Sequence, residues 1–130
     1  MSVQYLSPAG LVQSPAFSHA VVVERPARTV YVGGQNGVDN SGTVVGGLAE
    51  QTAKAVDNAR IALAAAGGAL TDVISWTVAV TAGEDLRAGY GAMQPAVAGR
   101  DAPPIVNVVL VAGLAVPGAL VELSAVAVLP

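Results

Sequence analysis

Hydrophobic residues recur along the chain with the period of a strand in some segments and with the period of a helix in others. These changes of period predict the secondary-structure elements. Short segments rich in Val, Ile and Thr alternate with period two, which is typical of strands that are buried on one face. Residues 48–66 instead place Leu48, Ala55 and Leu63 on one face at helical spacing, and Gly67-Gly68 follows as a helix stop. The pattern therefore predicts an amphipathic helix between two sets of strands. The predicted strands are residues 17–24, 29–33, 73–81, 106–111 and 120–129.

A second helix is predicted after the third strand. Thr81-Ala82-Gly83-Glu84 has the spacing of a capping box, which predicts a helix over residues 84–98. The first two strands are separated only by the turn at residues 25–28, so they are expected to pair as a hairpin. The order β-β-α-β-α-β-β then predicts one α+β domain over residues 1–130, a two-layer sandwich of two helices on one mixed sheet. One face of that sheet has no helix, and a neighbouring subunit is the simplest cover for it.

The chain contains few charged residues, which bears on whether it binds copies of itself, nucleic acid or a metal ion. Hydrophobic residues make up 53% of the sequence and charged residues 12%, whereas roughly a quarter is charged in an ordinary soluble domain. So little charge is typical of a protein that buries part of its exterior against copies of itself. With six Lys and Arg and a net charge of −3, there is no basic patch for nucleic acid. A single histidine and no cysteine weigh against a metal site.

A membrane segment is the other explanation for low charge, and the pattern argues against it. Residues 102–121 carry no charge and are long enough to span a bilayer. They also contain Pro103, Pro104 and Pro117-Gly118, which favour two strands joined by a turn. Residues 1–10 have no basic start followed by a long apolar run, so no signal peptide is predicted. We expect a cytoplasmic protein without a membrane segment.

One carboxylate, Glu122, interrupts the apolar pattern of the last strand. A carboxylate in such a strand costs several kcal/mol if it is dry and unpaired, so something must compensate it. Either it has a structural partner, such as an inter-subunit salt bridge or a backbone N–H group, or it faces a pocket for water or a ligand. No Ser-His-Asp triad can be defended around the single histidine, and neither an acidic metal cluster nor a basic surface supports a nuclease.

The element order and a set of short motifs together resemble the RidA (YjgF) family, whose older name is endoribonuclease L-PSP. The resemblance extends over essentially the whole chain, and its strength comes from the order and spacing of the motifs. The matching pieces are residues 15–20, 32–35, 57–58 and 72–73, Gln51, Tyr90, the segment after Pro104, Leu114 and residues 121–127.

This resemblance implies a chorismate-mutase-like fold and a homotrimer with small-molecule clefts between its subunits. It implies hydrolysis of reactive enamines and imines such as 2-aminoacrylate, which yields a 2-keto acid and ammonia, without a metal or organic cofactor. A second hypothesis is a non-catalytic small-molecule-binding or chaperone-like homotrimer that has kept the fold and lost the deaminase activity. A third is an enzyme that acts on a substrate without a carboxylate.

The family's site positions can be carried over residue by residue, and the match is partial. The glutamate that positions water falls on Glu122, and the glycine of the second-strand loop falls on Gly34. The N-terminal tyrosine falls on Phe17, which keeps the ring and loses the hydroxyl. The asparagine on the second helix falls on Arg87, and the arginine that binds the substrate carboxylate falls on Val106.

The loss of that arginine is the largest departure from the family pattern. An arginine–carboxylate pair is bidentate and charge-assisted, and its absence removes roughly 2–4 kcal/mol of substrate binding. We therefore expect a more apolar cleft for a neutral or cationic small molecule, with backbone groups near Gly34 and Asn107 holding it and Phe17 shielding it. Carboxylate binding would be restored if either Arg87 or Arg100 reached the cleft.

Overall fold

The computed structural model describes residues 1–130 as six strands and three helices, with 3₁₀ turns at Leu70–Asp72 and Gly91–Met93. No helix combines the length and the apolar character needed to cross a bilayer. The helices are α1 (Leu48–Ala65), α2 (Leu86–Tyr90) and α3 (Gln94–Val97). The strands are β1 (Ser2–Leu6), β2 (Ala20–Glu24), β3 (Arg28–Asn36), β4 (Val73–Thr81), β5 (Ile105–Val111) and β6 (Val121–Leu129).

A mixed four-stranded sheet in the order β3-β6-β4-β5 forms the centre of the fold. Strand β6 is antiparallel to both of its neighbours, whereas β4 and β5 run parallel, so β5 is an edge strand. The long helix α1 packs across this sheet. The predicted α+β two-layer sandwich is therefore confirmed.

One face of the sheet carries the hydrophobic core against α1. Val121, Leu123 and Ala125 of β6 all point to this side, because alternate residues of a strand share a face. The helix ends at Ala65, and Gly67, with a φ of 82°, closes it as predicted. We call this side of the sheet the covered face and the other side the uncovered face. The α1 residues in the core are Leu48, Ala55, Val56, Ala59 and Leu63.

A bulge near the start of β4 changes which residues reach the core. The pairing of β4 with β6 shifts between Val73 and Ser75, so one extra residue is inserted there. Val73 and Trp76 are both 0% exposed in the core although three positions separate them. Strict alternation places Val73 and Trp76 on opposite sides, and the bulge overrides it.

The predicted hairpin between the first two strands is wrong. Strand β2 pairs antiparallel with β1, which was absent from the prediction, and the two form a separate sheet. Arg25 has a left-handed φ of 54° and is followed by Pro26, so the chain turns sharply after β2. Ala27 then donates its N–H to the carbonyl of Leu129 at 3.1 Å, and β3 continues along β6 instead of β2.

The second predicted helix, residues 84–98, is divided into α2, a 3₁₀ turn and α3. Its N-cap is Asp85, whose Oδ1 accepts the backbone N–H of Arg87 at 3.1 Å, whereas Thr81 ends β4. Glycine weakens a helix interior and proline lacks the N–H donor, so Gly91 and Pro95 explain the division.

Candidate functional site

Glu122 and Gly34 meet on the uncovered face of the sheet. Glu122 follows the buried Val121 on β6, so its side chain leaves the sheet on the side away from α1. A methyl group at Gly34 would lie 2.6 Å from Oε1 of Glu122, which shows that the carboxylate rests directly on the Gly34 backbone. Glu122 is half-buried and forms no salt bridge within the chain. Its carboxylate is therefore available to water or a ligand.

A bulge in β3 creates the place where this carboxylate rests. The pairing of β3 with β6 shifts between Val32 and Gln35, so Gly33 and Gly34 together lie opposite Ser124. The two glycines differ in their surroundings, because a methyl group at Gly33 would meet nothing within 4 Å. Gly34 is thus the position at which a side chain is excluded by Glu122.

Phe17 lies far from Glu122, beside the start of β5. The buried Ser18 ties its loop to that strand, since its hydroxyl donates to the carbonyl of Pro103 at 2.6 Å and its N–H donates to the carbonyl of Pro104 at 3.1 Å. The half-buried Phe17 ring stacks edge-on against His19, with 5.3 Å between ring centroids. Phe17 and the first residues of β5 therefore form one local group.

Val106 and Asn107 lie on opposite faces of β5. Val106 pairs with Trp76 and Asn107 pairs with Thr77 across the parallel β4–β5 ladder. Trp76 is 0% exposed in the core, whereas Thr77 is exposed on the other side. Since paired residues share a face, Asn107 lies on the face of Glu122 and Val106 on the covered face.

Within one chain the predicted site residues form two separate groups. Gly34 and Glu122 are the first group, and Phe17 with the β5 pair Val106 and Asn107 is the second. Strands β3 and β5 are three strand spacings apart, which is about 14 Å. The Glu122 side chain lies against β3 and so points away from β5. One chain therefore does not bring the two groups together.

The two candidate cations lie outside both groups. The Arg87 side chain is 93% exposed on α2, with Nε 3.5 Å from Oδ1 of Asp85. Arg100 donates to the carbonyl of Val73 and to the hydroxyl of Tyr5, each at 2.6 Å, and its guanidinium lies 5.4 Å from the centroid of the Tyr5 ring. Arg100 thus joins β1 to the start of β4, and within the chain neither arginine reaches Glu122.

A row of hydrogen-bonding side chains crosses the uncovered face, and sequence reasoning missed its central members. Asn107 pairs with Thr77, and Thr77 pairs with Ser124. Glu122 lies two residues from Ser124 on β6, so it shares the same face. We call these four residues the polar row. The signal that reveals the row is the register of three strands, and the sequence does not give that register.

An open depression lies beside the polar row. It has a volume of about 190 Å³, and the side chains of Tyr31, Ser75, Thr77 and Ser124 are among its lining. Tyr31 is 79% exposed at its rim. The uncovered face therefore offers hydroxyl groups, an amide and one carboxylate, which together suit a small polar ligand.

Comparison with known proteins agrees with the fold and the motifs. Residues 11–129 match the family model described as Endoribonuclease L-PSP. A segment of 65 residues is 46% identical to the 2-iminobutanoate/2-iminopropanoate deaminase of Rattus norvegicus, and it covers 48% of this chain and 45% of the rat protein. The match thus spans less than half of that relative.

Solved structures resemble the chain over nearly its whole length. The Rid-family protein YyfB from Yersinia pestis, described as of unknown function, has a TM-score of 0.84 and 28% identity and covers 99% of this chain and 100% of its own. A member of the YjgF/YER057c/UK114 family from Mycobacterium tuberculosis has a TM-score of 0.66 and 29% identity over 98% and 100% of the two chains. With the family match over residues 11–129, the chain belongs to the endoribonuclease L-PSP family, also called the RidA or YjgF family.

Proposed function

We propose that this chain hydrolyses a small imine or enamine to a carbonyl compound and ammonia, at a site that two copies of a homotrimer complete. The observation that carries the proposal is the Glu122 carboxylate, which lies free of partners against Gly34 on the uncovered face. Membership of the RidA family and the similarity of half the chain to the rat imine deaminase support the reaction class.

The distribution of the site residues supports an assembly. Gly34 and Glu122 lie toward the β3 edge of the sheet, and the Phe17–Asn107 group lies at the β5 edge. A second copy is therefore needed to bring the two groups together. The edge strand β5 also exposes three consecutive apolar side chains, Val108 to Leu110, at 52%, 47% and 59%. Exposed apolar edge strands favour pairing with another chain.

The chemistry needs one group that moves protons and a site that holds the substrate. As a water oxygen bonds to the imine carbon, Glu122 accepts a proton from that water and returns it to the nitrogen, which gives a carbinolamine. A second proton then passes from the new hydroxyl to the nitrogen through Glu122. The C–N bond breaks, the carbonyl forms and ammonia leaves. Phe17 shields the site and Asn107 orients the substrate.

The test measures ammonia release above the spontaneous rate. Two substrates are generated in situ by pyridoxal-catalysed elimination, 2-aminoacrylate from β-chloroalanine and 2-aminoacrylamide from its amide. We expect acceleration of at least one of them, and a decrease of about 10²- to 10⁴-fold in Glu122→Gln. The matched control is Glu24→Gln, an exposed strand carboxylate whose removal leaves the rate unchanged. Equal rates for wild type and Glu122→Gln would refute the role of Glu122.

A second candidate function is a trimer that binds a small molecule without converting it. The observation in its favour is that neither Arg87 nor Arg100 reaches Glu122 within the chain. This function predicts ligand binding on the uncovered face with no acceleration of either substrate in the same assay.

A further inference from the structure

We propose that Asn107 selects the ligand, and that it selects a neutral carboxamide or similar group over a carboxylate. This inference rests on the proposed function for the location of the site, and it names the substrate class. The substrate would then be an imine with a neutral group, such as a carboxamide, where a 2-imino acid has its carboxylate.

The strand register makes Asn107, and not Val106, the residue of β5 that faces a ligand on the side of Glu122. Asn107 pairs with the exposed Thr77, whereas Val106 pairs with the buried Trp76. A substitution at Val106 would therefore act on the covered face. A substitution at Asn107 would act on the uncovered face.

The Asn107 amide has the character of a binding group. It is the only polar side chain among the seven residues of β5, Ile105–Val111, and it is exposed. Its nearest neighbours on the same face, Thr77 and then Ser124, continue the polar row toward Glu122.

The charge of the uncovered face decides which ligands suit that row. Glu122 is its only charged side chain, because the other residues that β3 to β6 place there are hydroxyl, amide or apolar. A carboxylate ligand would meet this negative charge with no cation beside it. A neutral or cationic ligand would meet no such repulsion.

The geometry of an amide explains the preference for a carboxamide. Asparagine offers both an N–H donor and a carbonyl acceptor, and a primary carboxamide offers the complementary pair. A carboxylate accepts from the N–H group but leaves the Asn107 carbonyl facing a second acceptor. An unpaired polar group of this kind lowers binding by about tenfold.

The test measures binding without turnover, so its outcome is independent of catalysis. Pyruvamide and pyruvate differ only in the amide and the carboxylate, and their dissociation constants are measured by NMR titration. The proteins are wild type, Asn107→Leu, Asn107→Arg and Val106→Arg. We expect wild type to bind pyruvamide about tenfold more tightly than pyruvate, Asn107→Leu to lose that preference, and Asn107→Arg to reverse it. Val106→Arg keeps the wild-type ranking if it folds.

Several outcomes would overturn the inference. Tighter binding of pyruvate by wild type, lost in Arg87→Ala, would mean that a neighbouring copy's arginine supplies the cation. Unchanged ranking in Asn107→Leu and Asn107→Arg, or no binding of either ligand by wild type and Asn107→Arg, would remove Asn107 from the site. A pyruvamide preference together with no ammonia release would uphold the ligand class and refute the hydrolase.

Discussion

The two faces of the central sheet are built from the same strands and differ in almost every physical property. On the covered face Trp76 and Leu123 are 0% exposed and pack against α1. On the uncovered face Tyr31 is 79% exposed and Glu122 has no ion-pair partner within the chain. The comparison teaches that one strand can serve two purposes. Its side chains alternate between the faces, so those on the covered face stabilise the fold and those on the uncovered face are available for binding.

The largest effect is expected from a cavity on the covered side. Leu63 of α1 is 0% exposed in the core, whereas Ile61, two residues earlier, is 53% exposed. Leu63→Ala should lower the free energy of unfolding by about 2–5 kcal/mol, because it removes buried contacts and leaves a cavity. Ile61→Ala is the control, with an expected loss below about 1 kcal/mol. Urea unfolding checks both, and equal losses would contradict the assignment of Leu63 to the core that α1 forms with the covered face.

The next effect tests the uncovered face through a matched pair of glycines. In Gly34→Ala the new methyl group would lie 2.6 Å from Glu122 Oε1 and displace the carboxylate. Ammonia release should fall by about 10²-fold, since small displacements of a catalytic group cost that much. Gly33→Ala adds a methyl group that meets nothing within 4 Å and should keep the activity. Equal activities for the two variants would show that the contact between Gly34 and Glu122 is irrelevant to function.

A smaller effect separates the two arginines. Arg100 holds the carbonyl of Val73 and the hydroxyl of Tyr5, so Arg100→Ala should destabilise the chain by about 1–3 kcal/mol. Arg87 is 93% exposed, and Arg87→Ala should change the free energy of unfolding by less than about 0.5 kcal/mol. Thermal and urea unfolding measure both values. A larger loss in Arg87→Ala than in Arg100→Ala would reverse this assignment.

The smallest effect lies in a loop outside both faces. A hydrogen bond from the Ser41 hydroxyl, assisted by the backbone N–H groups of Thr43 and Ser41, lowers the pKa of Asp39 below its ordinary 3.8. Because the folded pKa is lower than the unfolded one, this stabilisation is complete above pH 3.8 and is lost as pH falls through the folded pKa. An NMR titration should show that Ser41→Ala raises the pKa of Asp39 toward 3.8. No change would contradict the assigned cause.

The sequence predicted the parts of the fold that depend on local periodicity. Strand β4 and helix α1 have strong patterns of period two and 3.6, and both lie within a residue of the predicted bounds. The hairpin prediction failed because the local pattern predicts a strand but not its partner. Strand β2 pairs with β1, and β3 pairs with β6. The prediction of one continuous second helix was wrong because Gly91 and Pro95 interrupt the helix that the capping-box spacing predicted.

The sequence could name candidate site residues, but it could not show which face of the sheet each one lies on. The family resemblance identified Glu122 and Gly34, and the structure brings these two together. It also pointed to Val106, which the β4–β5 register places on the covered face while Asn107 lies on the uncovered face. A shift of one residue reverses the face of a strand, so only the register decides between the two. Thr77 and Ser124 became visible only with that register.

The central claim is that two copies supply the two halves of each site, and mixing two variants, each impaired in one half, tests it most directly. Glu122→Gln lacks one half and Asn107→Leu lacks the other. When equal amounts are unfolded together and refolded, a three-fold assembly should contain about one intact site in four, because each site draws its halves from neighbouring chains. We predict that ammonia release recovers to about one quarter of the wild-type rate. Mixed protein no more active than its parents would contradict the shared site.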